Sequence, residues 1–114
     1  MNIEVNKQGG TATLALSGTL TLGRGDAVLR NTFNDQLELG ERFIVLDMTR
    51  VDYLDSAGVG ELVACSKRAA ARSCIVKVAA SPAGKARQIL SATGIERVFE
   101  VYDDEPSARA SFEI

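Results

Sequence analysis

The fold is decided by residues 46–63, which read LDMTRVDYLDSAGVGELV. The stretch begins at the end of an apolar run, Phe43–Leu46, that shows no alternation with polar residues. Such a run is typical of a strand covered on both faces, as in a parallel sheet. We expect a polar loop over residues 47–55 and then a helix, because apolar residues recur from Val59 at spacings of three and four. The stretch therefore predicts a strand, a loop and a helix of an α/β fold.

The start of this helix carries two features that call for an explanation. Asp55 or Ser56 is placed to cap the helix, since either side chain can accept from the free amides of the first turn. Gly58 and Gly60 are poor helix formers, each costing up to ~1 kcal/mol relative to alanine, so we expect another backbone or a partner surface to approach closely. Two interpretations stay open: a capped helix alone, or a helix start that presents the Ser56 hydroxyl to another protein's active site.

A phosphate on Ser56 is compatible with this position. It would carry a charge of about −1.5 to −2, which the free amides and the helix dipole favour. The carboxylates of Asp52 and Asp55 would repel it. We therefore expect the main effect of a phosphate to fall on whatever surface docks over residues 57–59, rather than on the fold.

The N-terminal third of the chain predicts a hairpin and a helix. Apolar and polar residues alternate on both sides of Gly9-Gly10, as in two antiparallel strands joined by a tight turn. Three glycines between positions 18 and 25 indicate a loop. Apolar residues then recur every four positions over residues 26–39, which indicates an amphipathic helix, and Gly40 is placed to end it.

The C-terminal third predicts a further strand, helix, strand and helix. Residues 74–79 form a second short apolar run. Ser81-Pro82 predicts the N-cap and first residue of a third helix, which Gly94 ends. We expect the last strand over residues 98–102 and a final short helix that opens at Glu105-Pro106.

The order of these elements predicts an α/β fold built as one domain over residues 1–114. A hairpin followed by alternating helices and strands favours a mixed, mostly parallel sheet of about five strands, packed by about four helices. The chain has 114 residues, which suits a single domain.

The composition excludes several classes of function. Lys plus Arg number 13 and Asp plus Glu number 15, so the net charge is −2 and there is no basic excess for nucleic-acid binding. No apolar run approaches the ~20 residues of a membrane span, and residues 1–5 lack the pattern of a signal peptide. We therefore expect a cytoplasmic protein without membrane insertion.

Enzymatic chemistry has little support in the sequence. The chain contains no histidine, which excludes serine–histidine–aspartate triads and histidine metal sites. Cys65 and Cys74 stand nine positions apart, which is not a zinc or redox spacing, and we expect two buried reduced thiols. Asp47, Asp52 and Asp55 could form a magnesium site, but a solvated acidic loop is the favoured interpretation. We expect no cofactor, no metal and no catalytic residue.

Residues 47–62 resemble a family signature. They follow the pattern Asp-x-x-x-Val-x-Tyr-Leu-Asp-Ser-Ala-Gly-Val-Gly-x-Leu, which is similar to that of STAS-domain proteins, specifically the bacterial anti-sigma factor antagonists. Gly18-Thr19-Leu20 resembles the motif after the family's second strand, and residues 89–99 resemble its third helix and last strand. Thr21 stands where the family usually has an aspartate, and Asp26 lies nearby in sequence as a partial substitute.

The resemblance implies a binding protein controlled by phosphorylation. An anti-sigma factor, which is a serine kinase of the histidine-kinase-like ATPase superfamily, would phosphorylate Ser56. The unphosphorylated form would bind that kinase and free a sigma factor, and a metal-dependent serine/threonine phosphatase would reverse the modification. The resemblance places partner contacts at a set of residues around Ser56: Thr19, Thr21, Arg24, Asp52, Asp55, Ala57, Gly58, Val59 and Gly60.

A second interpretation keeps the STAS fold without the switch. The chain would then be an interaction subunit of a non-sigma assembly, such as a lipid-transport complex, a stress-sensing complex or another signalling relay. Ser56 would be part of a capped helix and nothing more. Replacing Ser56 by alanine or aspartate distinguishes the two, because only the first interpretation predicts that the aspartate weakens binding.

Overall fold

A five-stranded sheet organises the fold in the computed structural model, which describes residues 1–112. Strands β1 and β2 are antiparallel, and every later neighbour in the order β1-β2-β3-β4-β5 is parallel. This confirms the predicted mixed sheet that starts with a hairpin. The strands are β1 (Asn2–Gln8), β2 (Thr11–Leu20), β3 (Phe43–Leu54), β4 (Ile75–Ala79) and β5 (Val101–Tyr102).

Four α-helices cover the two faces of this sheet unequally. Ile44 and Leu46 of β3 point into the main core, which also takes apolar side chains from the first three helices. Val45, between them, points to the other face and packs with Ala108 of the last helix in a smaller cluster. The helices are α1 (Gly25–Glu38), α2 (Ser56–Ala71), α3 (Lys85–Thr93) and α4 (Glu105–Ala110), with a 3₁₀ turn at Ile95–Arg97.

Strand β3 is longer than the sequence indicates, and the predicted loop over residues 47–55 is wrong. The strand continues to Leu54 and pairs with the end of β2. Two register shifts insert an extra residue into β3, one opposite Ala15–Ser17 and one opposite Gly18–Thr19. The buried apolar residues of this half are therefore spaced by three rather than by two, which hides the strand from a search for alternation. They are Met48, Val51 and Leu54.

Three other boundaries also differ from the prediction. The loop predicted over residues 18–25 shortens to residues 21–24, because β2 continues to Leu20. Ser81 does not cap α3: Ser81–Gly84 forms a turn closed by the Gly84 amide on the Ser81 carbonyl at 2.9 Å, and the helix begins at Lys85. The last strand is only Val101–Tyr102, since the 3₁₀ turn precedes it.

The remaining local predictions are confirmed. Gly40 lies just beyond α1 with a φ of 82°, a left-handed conformation that suits glycine and ends the helix. Cys65 and Cys74 are both buried and free, as expected of small apolar residues. Asp104 caps α4, and Pro106 lies in its first turn, where a missing amide proton costs nothing.

Candidate functional site

The candidate site lies where β2 and β3 end side by side. Leu20 and Leu54 are paired in parallel, so the loop after β2 and the start of α2 both follow the carboxyl-terminal ends of neighbouring strands. We call this surface the Ser56 face and define it by the residues that β2, its loop, β3 and α2 contribute there. They are Thr19, residues 21–24, Asp52, Tyr53 and residues 55–60.

Asp55 joins the two segments of the Ser56 face through both carboxylate oxygens. Its Oδ1 accepts a hydrogen bond from the Gly58 amide at 2.9 Å and caps α2, while Oδ2 accepts from the Leu22 amide at 3.1 Å. The Asp55 amide donates to the Leu20 carbonyl at 3.3 Å. These amide contacts, chiefly that of Gly58, hold the pKa of the Asp55 carboxyl below its usual value. The sequence allowed either Asp55 or Ser56 to cap α2, and in the structure Asp55 is the capping residue.

Ser56 is the first residue of α2, and its side chain is exposed. Because Asp55 supplies the cap, the Ser56 hydroxyl is not needed for that purpose. Ala57 and Val59, which follow Ser56 in α2, are partly buried, and Val59 packs against the main core. The side-chain cap of α2 therefore comes from Asp55 and not from Ser56.

The two glycines of the first turns of α2 have different explanations. A Cβ on Gly58 would collide with the carbonyl oxygen of Leu20, so glycine is required there by the close approach of β2. A Cβ on Gly60 would meet no atom within 4 Å, and Gly60 is exposed. The expectation of a close backbone approach holds for Gly58. Packing among the described residues does not explain the glycine at position 60.

The loop between β2 and α1 is held in place by Asp26. Asp26 is buried, and its Oδ1 accepts from the amides of Gly23 at 2.9 Å and Ala27 at 2.8 Å. Its own amide donates to the Thr21 carbonyl at 3.1 Å. Asp26 thus stabilises the start of α1. Thr19, before this loop, and Arg24, within it, are exposed, and Thr21 is partly buried.

Two apolar residues of the Ser56 face were not among the predicted contacts. Leu22 is 74% exposed and Tyr53 is 49% exposed. The Leu22 amide donates a hydrogen bond to the Asp55 carboxylate, and Tyr53 precedes Asp55 by two positions. Large exposed apolar side chains beside polar ones are typical of protein-binding surfaces. No signal in the sequence distinguished Leu22 and Tyr53 from the buried apolar residues of the same two predicted loops, such as Leu20 and Leu54.

The acidic residues near the site do not assemble into a metal centre. Asp47 Oδ1 accepts from the Thr49 amide at 3.0 Å and from the Thr49 hydroxyl at 2.7 Å. Both residues lie at the first register shift of β3. Asp52 is exposed. Over residues 1–112, no group of three or more His, Cys, Asp or Glu side chains could hold a metal ion. No helix in this described part of the chain combines the length and apolar character needed to span a membrane.

Comparisons with known proteins agree with this architecture. The family model described as STAS domain matches residues 2–108. No curated protein matches the chain. A candidate anti-sigma factor antagonist from Thermotoga maritima is similar in structure, with a TM-score of 0.86 and 20% identity over 98% of this chain and 95% of that one.

Two further solved structures are also similar. One is the Bacillus cell fate determinant SpoIIAA in its phosphorylated form, with a TM-score of 0.70 and 17% identity over 96% of this chain and 98% of that one. The other is a sulfate transporter family protein from Wolinella succinogenes, with a TM-score of 0.70 and 21% identity over 91% of this chain and 85% of that one. At these identities the likeness concerns the fold.

Proposed function

The chain belongs to the STAS domain family, and from that premise we propose that it is an anti-sigma factor antagonist, a single-domain binding protein of the cytoplasm rather than an enzyme. In its unphosphorylated form it binds a cognate anti-sigma serine kinase of the histidine-kinase-like ATPase type, and a sigma factor is freed. Phosphorylation of Ser56 ends this binding, and a metal-dependent serine/threonine phosphatase restores it. The observation that carries the proposal is the exposed Ser56 side chain directly after the capping residue of α2.

The electrostatics of the Ser56 face support a switch of this kind. A phosphate adds about −1.5 to −2 charges next to the carboxylate of Asp55, whose lowered pKa keeps it ionised at neutral pH. Within an interface, an unfavourable charge contact costs several kcal/mol, and each ~1.4 kcal/mol changes an affinity tenfold. One phosphate is thus sufficient to abolish binding while the fold is retained.

The contact surface has the chemistry of a docking site. Leu22 and Tyr53 supply exposed apolar area, and Arg24 and Asp52 supply charges of both signs around it. Apolar residues at the centre of an interface provide most of its energy, and charged residues at its rim provide specificity and speed of association. Gly60 leaves room for a partner to approach α2.

Relatives support both the proposal and one competing function. The Thermotoga maritima structure is a candidate antagonist, and the Bacillus structure is a phosphorylated form. The Wolinella succinogenes protein belongs to a sulfate transporter family, which favours a STAS interaction subunit of a non-sigma assembly as the second candidate. In that case Ser56 is a surface residue of a permanent interface, and its phosphorylation plays no part.

Phosphate mapping tests the proposal. The purified chain is incubated with lysate of its native host and magnesium ATP, and phosphopeptides are quantified by mass spectrometry. We expect one phosphate on Ser56 in the wild type and none in Ser56→Ala. Ser107→Ala is a matched control, since Ser107 is also exposed in the first turn of a helix capped by an aspartate. Phosphate on Ser107 but not on Ser56, or on neither, would reject the switch.

A further inference from the structure

Strand β1 leaves one long edge of the sheet accessible. Its seven residues are almost all exposed, and its pairing with β2 is unbroken from Asn2 opposite Ser17 to Gln8 opposite Thr11. The opposite edge, β5, is only two residues long and contacts α4. Natural proteins blunt an edge with proline, a bulge, a very short strand or charged side chains. Strand β1 has no proline and no bulge and is seven residues long, and its charged residues are Glu4 and Lys7.

The turn after β1 determines which backbone groups point outward. Gly9 and Gly10 have φ values of 58° and 81°, as in a two-residue type I′ turn, so Gln8 and Thr11 form a hydrogen-bonded pair. Hydrogen-bonded and non-hydrogen-bonded pairs alternate along an antiparallel ladder. The even residues of β1 therefore direct their amides and carbonyls towards β2. The amides and carbonyls of Ile3, Val5 and Lys7 point away from the sheet.

This outward edge is complementary to itself in one antiparallel register. With Val5 opposite Val5 of a second copy, Ile3 lies opposite Lys7, and all seven residues of both strands overlap. Each of the three outward residues then forms a hydrogen-bonded pair with the second copy. Shifting the register by two residues shortens the overlap, and one of the two shifts sets Glu4 against Glu4.

The side chains of this register are also compatible. Val5 is 37% exposed, and Val5 of the second copy would cover it on the face that carries Ile3. On the other face, Glu4 lies opposite Asn6, so no two like charges are directly opposed. Lys7 is already paired with Glu41 of its own chain at 3.1 Å, so its charge is balanced at the edge.

We propose that the β1 edge is a homodimer interface, in which two copies pair β1 to β1 about a two-fold axis at Val5. The two sheets become one continuous sheet of ten strands, and neither copy is left with an open β1 edge. The Ser56 faces lie at the far ends of β2 and β3 and point in opposite directions, because the paired strands are antiparallel. Each dimer thus keeps two accessible Ser56 faces. The interface does not depend on phosphorylation of Ser56.

Charge substitution at Val5 tests both the dimer and its register. Val5→Lys and Val5→Glu each place like charges opposite one another at the two-fold axis, and we expect each variant alone to dimerise at least about tenfold more weakly than the wild type. An equimolar mixture of the two places opposite charges there and forms a heterodimer. Leu39→Lys and Leu39→Glu are matched controls, because Leu39 is exposed outside the sheet and its substitution leaves dimerisation unchanged. The measurement is sedimentation equilibrium over a concentration series, with circular dichroism to verify folding.

Every outcome of this experiment decides the proposal. Dimerisation of the wild type, its loss in each Val5 variant and its recovery in the mixture support it. A wild type that stays monomeric up to millimolar concentration overturns it, as does dimerisation that the Val5 substitutions leave unchanged. A mixture of the two Val5 variants that does not recover dimerisation overturns the pairing of Val5 with Val5. If Val5→Glu alone strengthens the dimer, Val5 faces Lys7 instead of itself, and the proposed register is wrong.

Discussion

Alanine substitutions at Gly58 and Gly60 should change the stability of the chain in opposite directions. Both glycines lie near the start of the same helix, and helix propensity alone predicts that either change stabilises the protein by roughly 0.5–1 kcal/mol. The structure separates them. A Cβ at Gly60 meets no atom within 4 Å, while a Cβ at Gly58 meets the carbonyl of Leu20.

The cost at Gly58 follows from what obstructs the new methyl group. The obstacle is a backbone carbonyl that also accepts the Asp55 amide, so it cannot move away without breaking that contact. Forcing extra volume into a packed site typically costs about 1–3 kcal/mol. After the gain in helix propensity is subtracted, we expect Gly58→Ala to destabilise the protein by about 0.5–2 kcal/mol. Gly60→Ala should stabilise it by about 0.5–1 kcal/mol.

Urea denaturation measures both changes directly. The midpoint should fall for Gly58→Ala and rise for Gly60→Ala, with the slope unchanged in each case. Two variants that both raise the midpoint would refute the argument that the carbonyl of Leu20 requires glycine at position 58. The binding partner adds a second readout, since a methyl group at position 60 should weaken binding even though it stabilises the fold.

Asp55→Asn should lower the free energy of unfolding at neutral pH. The ionised Asp55 carboxylate stabilises the fold above the ordinary carboxyl pKa, and this stabilisation is lost as the pH falls through the lowered pKa of the folded state. Urea titrations across pH should therefore show that the difference between the variant and the wild type shrinks in acid. Cys65 and Cys74, whose pKa values burial raises to about 12 and about 11, should resist alkylation at neutral pH until the chain unfolds, and labelling of both in the native state would contradict their burial. Leu22→Ala and Tyr53→Ala should weaken partner binding while the free energy of unfolding stays within about 0.5 kcal/mol; binding equal to the wild type would remove them from the interface.

The sequence predicts those parts of the fold that local chemistry determines. The hairpin follows from Gly9-Gly10, and the end of α1 follows from Gly40, because both positions need a left-handed backbone. Strand β3 and helix α3 were predicted less well. The two bulges of β3 exist only in relation to its neighbour β2, and the turn at Ser81–Gly84 uses the same serine and proline that typically start a helix.

The candidate site divides in the same way. Asp55 and Gly58 were noted because capping and glycine at a helix start are local signals, and the role of Ser56 stays a prediction. The second oxygen of Asp55 bonds to Leu22 across 33 positions of the chain, and no local pattern indicates that contact. The exposure of Tyr53 was equally hidden, because it depends on the pairing of β3 with β2, in which Tyr53 lies opposite Thr19. The position of Leu20 also shows what the sequence does not, namely that Gly58 cannot carry a side chain whereas Gly60 has space for one.

Partner capture with the phosphorylated chain is the most direct test of the Ser56 switch. Three baits are compared in lysate of the native host: the wild type, Ser56→Ala, and a chain synthesised with phosphoserine at position 56. The account predicts that the first two retain a histidine-kinase-like ATPase and that the third loses it by more than about tenfold, which corresponds to ~1.4 kcal/mol. If all three baits retain the same proteins in equal amounts, Ser56 is not a switch, and the chain is an interaction subunit that phosphorylation does not control.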